Sequence, residues 1–250
     1  MHSHLFVLLA STALVTAQNT NLQTVFPVAT ATTHLAAART IAAGQTFDGG
    51  MKQWDRNPST CNQQAEGGEK DAVFILQDGA TLNNVIVGPN NGEGIHCKGK
   101  CTLNNIWWTD VCEDAATFKQ TSSSSTSYVN GGGARHASDK IFQHNGGGTL
   151  SVKNFYAYNS GKLYRSCGNC GTQYARHSTF TNVKVENIKV IAGVNANYGD
   201  TTVIRNSCVK GGGNICEIFN GNNGGKEPSK IGSGPEGRSC VAEGVRTSGC

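Results

Sequence analysis

"ATLNNVIV" at residues 80–87 is followed 21 residues later by "CTLNNIWW" at 101–108. Related stretches continue as TSYVNGGGA (126–134), GTLSVKNFYA (148–157), STFTNVKVENI (178–188) and TTVIRNSCVK (201–210). Each places an apolar residue two before an asparagine, usually followed by β-branched or aromatic residues. The matching asparagines are Asn84, Asn105, Asn130, Asn154, Asn182 and Asn206, at spacings of 21, 25, 24, 28 and 24. Periods of this size, with strand composition and Gly- or Asn-rich connectors, indicate a solenoid. No helical apolar periodicity of useful length lies between the strands. Short strands cannot bury their inward faces alone, whereas stacked coils share one continuous core, so the repeat predicts an all-β parallel β-helix. Asparagines recurring at one point of each coil predict a hydrogen-bonded ladder at a turn. The competing antiparallel sandwich would need turns every 8–12 residues or so.

The chain has 250 residues, enough for one domain with a sizeable core. Its first stretch has an apolar run from Leu5 to Val15 and a small-x-small pattern, Val15-Thr16-Ala17, before Gln18. That reads as a secretory signal peptide over 1–17, although the n-region carries only His2 and His4, and it leaves 18–250 as a single mature domain. No other apolar stretch is long enough to cross a membrane. Ten cysteines, an even number, fit an oxidising compartment and a disulfide-rich fold. Cys97–Cys101 and Cys167–Cys170 are the local pairs expected to bridge; "CGNC" (167–170) lacks the βαβ surroundings of a redox motif. The formal charge of +4 suits an anionic partner but is too small to argue for nucleic acid. No oligomerisation signal is visible, so a monomer is expected. The Gly-rich tail from Gly221 to Cys250 is expected to cover the last coil.

Residues 92–105, GEGIHCKGKCTLNN, resemble a phosphate-binding loop through Gly94, Gly99 and Lys100. Such a loop needs Ser or Thr after its lysine and a helix behind it, whereas Cys101 and a strand follow here. The segment is therefore a turn between coils. There is no G-x-S-x-G, no H-E-x-x-H and no zinc-type Cys/His spacing beyond His96 with Cys97 and Cys101. His96, His136, His144 and His177 share no spacing and read as structural. Trp54, Trp107 and Trp108 are candidate sugar platforms, with one of the adjacent pair facing outward.

The repeat also serves as a ruler. Glu93 to Asp114 is 21, as from Asn84 to Asn105, and Asp114 to Asp139 is 25, as from Asn105 to Asn130. Coils in register would stack Glu93, Asp114 and Asp139 on one surface, about 5 Å apart. Carboxylates that close repel unless a cation or protons compensate, and calcium is the hard cation that tolerates flexible carboxylate geometry. Glu113 is a further candidate ligand and Asp110 a weaker one. Basic residues crowd the same region: Lys119, Lys140, Lys162 and Arg165. Lys140 to Arg165 is 25, so these two are expected on neighbouring coils. A cation beside several lysines and an arginine suggests a site for a polyanion bearing carboxylates. The plainer reading of the same residues is a set of solvated ion pairs.

Five longer stretches closely resemble the family three polysaccharide lyases, secreted pectate lyases. They are AGQTFDGGMKQWDR (43–56), DAVFILQDGATLNNVIVG (71–88), EGIHCKGKCTLNNIWWTDVCEDAATFK (93–119), GGGARHASDKIFQHNGGGTLSVKNF (131–155) and GKLYRSCGNC (161–170). The resemblance covers nearly all of the mature chain. It implies a right-handed parallel β-helix and calcium-dependent β-elimination of polygalacturonate. By motif it implies Glu93, Glu113, Asp114 and Asp139 as calcium ligands, with Lys140, Lys162 and Arg165 as the catalytic bases and cations. Lys119, with Lys162 and Arg165, is implied in substrate binding. Thr109 stands where the family often has an acid, so no ligand role is carried over to that position. Lys140 and Arg165 both stay open as the base, with Lys140 preferred. A lysine base must be neutral to act, so nearby calcium and cations are expected to push its pKa down, with neighbouring carboxylates opposing that shift. Two other readings are kept. A glycoside hydrolase on the same solenoid would need only a carboxylate pair. A non-catalytic solenoid would merely grip anionic polysaccharide.

Overall fold

The computed structural model describes residues 19–63, 65 and 67–250, so the leader at 1–17 lies outside the described residues. The strands stack in three parallel ladders that form the sides of each coil. The first ladder holds β2 (Arg39–Ile41), β4 (Phe74–Leu76), β6 (Ile95–Cys97), β8 (Asp114–Phe118) and β10 (Lys140–His144). It continues through the second halves of β12 (Tyr156–Ser166) and β14 (Lys184–Asn195) to β17 (Asn214–Asn220). The second holds the first halves of β3 (Thr46–Arg56), β5 (Ala80–Val87), β7 (Cys101–Trp108) and β9 (Thr126–Arg135). It then runs through β11 (Gly148–Lys153), β13 (Arg176–Thr181), β15 (Thr201–Arg205) and β19 (Cys240–Glu243). The third contains β1 (Thr32–Leu35), the remaining halves of the long strands, and β16 (Cys208–Lys210). Among the described residues only β18 (Ser229–Gly234) is antiparallel, on β17.

The asparagine repeat marks the corner between the second and third ladders. Asn84, Asn105, Asn154, Asn182 and Asn206 all have positive φ, from 49° to 56°, which asparagine tolerates better than other residues with a side chain. Their amides bond from coil to coil: Asn105 donates to Asn84 at 2.9 Å and Asn182 to Asn154 at 2.7 Å. Asn130 departs from the expected alignment. It pairs with Asn104, to which its amide donates at 2.9 Å, and Gly131 (φ 72°) turns the corner instead. The N-terminal segment enters the place left by that missing side chain. Asn154 Nδ2 donates to the Thr20 carbonyl at 2.8 Å, and a Cβ on Gly131 would lie 2.8 Å from Thr20 Cα.

Inside the coils, apolar residues from all three ladders form one core from Ile41 to Cys240. The tryptophans are not sugar platforms. Trp54 and Trp108 pack inward against Phe74 and Phe142, and outward-facing Trp107 is covered by Phe26 at 5.1 Å. Both expected local disulfides form, Cys97–Cys101 clamping the turn into β7 and Cys167–Cys170 beside the end of β12. Cys61–Cys112, Cys208–Cys250 and Cys216–Cys240 complete the set. The tail extends the second ladder with β19 and adds β18 to the first, as expected of a cover for the last coil.

Candidate functional site

The first ladder sets the register of the site. Ile95 pairs with Ala116, an offset of 21, which brings Glu93 and Asp114 to adjacent coils as the spacing predicts. The next step differs. Asp114 pairs with Lys140, an offset of 26 rather than 25, so Lys140 and not Asp139 stacks on Asp114. The slip is the same one that placed Gly131 at the corner in place of Asn130. One coil further, Lys140 pairs with Lys162 and Gln143 with Arg165, an offset of 22. Arg165 is thus on the coil beside Lys140, three positions beyond the residue directly opposite it.

Lys140 Nζ sits among three carboxylates, 3.1 Å from Glu113 Oε1, 3.2 Å from Asp114 Oδ1 and 3.0 Å from Asp139 Oδ2. Asp139 Oδ1 meets Lys162 Nζ at 2.5 Å. Burial alone would lower the Lys140 pKa, but Asp114, Glu113 and Asp139 outweigh it and hold the ammonium well above its ordinary value. Carboxylates at hydrogen-bonding distance act more strongly here than burial, in the opposing sense expected of them from the sequence. Burial pushes the Asp114 carboxyl well above the usual carboxylate range, and neighbouring Glu113 adds to this against Lys140. Glu93 responds in the opposite direction. Burial raises it, but the His96 hydrogen bond and the Gly67 amide bring it below its ordinary value.

Glu93 belongs to a chain of contacts at the other side of the cluster. His96 Nε2 lies 2.9 Å from Glu93 Oε2, and His96 Nδ1 lies 3.2 Å from Lys119 Nζ. An ammonium can only donate, so His96 Nδ1 accepts and its Nε2–H donates to Glu93. Glu93, His96, Asp114, Lys119 and Lys140 line a small cavity of about 110 Å³. A second cavity of about 190 Å³ continues from Lys140 past Asp139, Lys162 and Arg165 to Phe219 and Glu227. Lys140 and Gln143 line both, so the two form one groove along the ladder. Asp110 is outside it, exposed and 3.6 Å from His136.

The acids offer only oxygen donors, the kind a hard divalent cation takes. Among the described residues, no three His, Cys, Asp or Glu side chains converge tightly enough to hold a metal as they stand. The Lys140 ammonium takes the central position. One observation fits a cation nonetheless: Asp114 Oδ1 is buried without a hydrogen bond of good geometry. Gln143, Phe219 and Asn195, which approach Lys140 or Arg165, were not singled out by sequence. Gln143 was findable as the register partner of Arg165, but Phe219 and Asn195 reach the site from later coils that carry no matching motif.

Residues 23–226 match the family model described as Pectate lyase. The chain is 48% identical over 211 residues to the probable pectate lyase E of Neosartorya fischeri, covering 84% of this chain and 82% of that one. It is 50% identical over 202 residues to the probable pectate lyase D of Emericella nidulans, covering 80% and 75%. Among solved structures, pectate lyase PelI from Erwinia chrysanthemi in complex with tetragalacturonic acid aligns with TM-score 0.69 and 32% identity, over 88% of this chain and 71% of that one.

Proposed function

The chain belongs to the pectate lyase family, and from that premise we propose that it cleaves de-esterified polygalacturonate by calcium-dependent β-elimination, releasing unsaturated oligogalacturonates during plant cell wall breakdown. The observation that carries this reading is Lys140 Nζ, held among Glu113, Asp114 and Asp139 in a groove that also presents Lys162 and Arg165. The related PelI structure with tetragalacturonic acid supports the substrate class.

Glu93, Glu113, Asp114 and Asp139 would hold calcium. When bound, it would neutralise these carboxylates, draw electron density from the substrate carboxylate and leave the Lys140 amine free to lose its proton. Lys140 takes the proton on C5, the C4–oxygen bond breaks, a double bond forms between C4 and C5, and the departing glycosidic oxygen takes a proton from water. Lys162 and Arg165 face the uronate carboxylate and stabilise the negative charge that develops on it. Lys119 grips a neighbouring uronate. A hydrolase built on the same acids would not need a buried lysine at their centre. The apolar leader at 1–17 supports secretion, with 18–250 acting as one monomeric domain, and five disulfides suit an oxidising compartment.

One assay separates the readings. Incubation with polygalacturonate and calcium is expected to produce ultraviolet-absorbing unsaturated ends, and a chelator should stop it. Saturated reducing ends would establish hydrolysis instead, and binding without cleavage would leave a non-catalytic solenoid.

A further inference from the structure

Arg165 is held differently from the lysines beside it. Lys140 and Lys162 both rest on Asp139, whereas the partners of the Arg165 guanidinium are neutral. Its Nη1 donates to the Ser166 carbonyl at 2.7 Å and to Asn195 Oδ1 at 3.0 Å. The guanidinium carbon lies over the Phe219 ring, 4.1 Å from its centroid. Two glycines make room. A Cβ on Gly193 would lie 2.7 Å from Arg165 Cδ, and one on Gly168 would lie 2.6 Å from Nη2. The Nε and Nη2 protons have no hydrogen-bond partner among the described residues, and the side chain lines the larger cavity.

Asn195 cannot turn its amide round. Its Nδ2 donates to Asp200 Oδ2 and to Ser166 Oγ, both at 2.9 Å, which leaves Oδ1 facing Arg165. Asp200 is buried and also accepts from Ser166 Oγ at 2.6 Å and from the Asn195 backbone N–H at 3.1 Å. A carboxylate that could have paired with the guanidinium is therefore spent on orienting an amide. The arrangement fixes the direction of Arg165 with no carboxylate within salt-bridge distance among the described residues, Asp200 and Glu227 acting on its charge only from farther away.

We propose that Phe219 and Asn195, the latter locked by Asp200, are positioning residues that hold Arg165 rigid and unpaired for an anionic group of the substrate. The proposal rests on the reading of Arg165 as a substrate-facing cation, and it adds the groups that make it effective. A guanidinium already aligned pays less ordering cost in the transition state than one that must be collected from solvent.

A double-mutant cycle tests this on polygalacturonate with calcium present. Phe219→Leu is expected to lower kcat/KM about tenfold, while Phe219→Tyr, which keeps the stacked ring, stays within about twofold of the unmodified enzyme. In an Arg165→Ala background Phe219→Leu should cost less than about twofold, because the group it positions is gone. Asn195→Ala should follow the same pattern; if that buried change prevents folding, Phe219→Leu carries the test alone. Equal losses in both backgrounds would overturn the proposal, since Phe219 would then act on the sugar or the fold directly. So would a fully active Phe219→Leu. Near-normal kcat/KM for Arg165→Ala by itself would instead remove the role given to Arg165, and the proposal with it.

Discussion

Asp114 Oδ1 lies 3.2 Å from Lys140 Nζ, and the two residues are direct partners between strands β8 and β10. Both are buried, and Lys140 Nζ keeps two further carboxylates, Glu113 at 3.1 Å and Asp139 at 3.0 Å. Because burial favours the neutral Asp114 carboxyl and Lys140 keeps Glu113 and Asp139 as partners, the neutral isostere in Asp114→Asn should be tolerated by the fold. On the proposed assignment of Asp114 to calcium, however, a ligand would be lost. Asp114→Asn is expected to keep the thermal midpoint nearly unchanged and to weaken calcium binding by about tenfold or more, measured by titration calorimetry.

The fold was legible because one corner repeats. A left-handed turn filled by asparagine leaves a mark every coil, and Asn84, Asn105, Asn154, Asn182 and Asn206 all fall on it. The site was legible as far as that mark stayed in register. Glu93 and Asp114 were placed correctly, but at the fourth coil Gly131 turns the corner and Asn130 stands one position early. Counting from Asn130 brought Asp139 onto Asp114 where Lys140 belongs. The slip of one residue puts an ammonium where a carboxylate was expected, so the error changes chemistry more than position, since Asp139 still reaches Lys140 at 3.0 Å. The groups around Arg165 were not legible because Asn195, Asp200 and Phe219 come from coils with no acidic or basic motif.

The N-terminal segment is expected to act as a strap. Phe26 packs edge-on against Trp107 at 5.1 Å and lies under the Arg135 guanidinium at 4.4 Å. Phe26→Ala should cost about 1–2 kcal/mol in urea denaturation and shift tryptophan emission towards the red as Trp107 meets water. Gly131→Ala should also release the segment, since its Cβ would collide with Thr20 and its φ of 72° disfavours a side chain. An unaltered emission spectrum in both variants would contradict the strap.

His144 makes stability sensitive to acid. It is buried, with Nδ1 3.0 Å from the Tyr164 hydroxyl and Nε2 3.2 Å from the Gly147 carbonyl, and burial pushes its pKa down from 6.5 to about 3. The unfolded chain therefore takes up this proton at a higher pH than the folded one does. The contribution is complete above about pH 6.5 and is lost as pH falls towards the folded pKa, at up to about 1.4 kcal/mol per pH unit. His144→Gln should flatten that part of the pH–stability curve in urea denaturation. An unchanged slope would remove His144 as its source.

Lys140 carries the central claim, that a lysine held among acids from successive coils takes the proton from C5. The most direct test is the rate at which Lys140→Ala forms unsaturated products from polygalacturonate at saturating calcium, with calcium affinity measured on the same preparation. A fall of about a thousandfold or more, with the cation still bound, is the expected result. A variant that binds calcium and turns over within about tenfold of the unmodified enzyme would contradict the account.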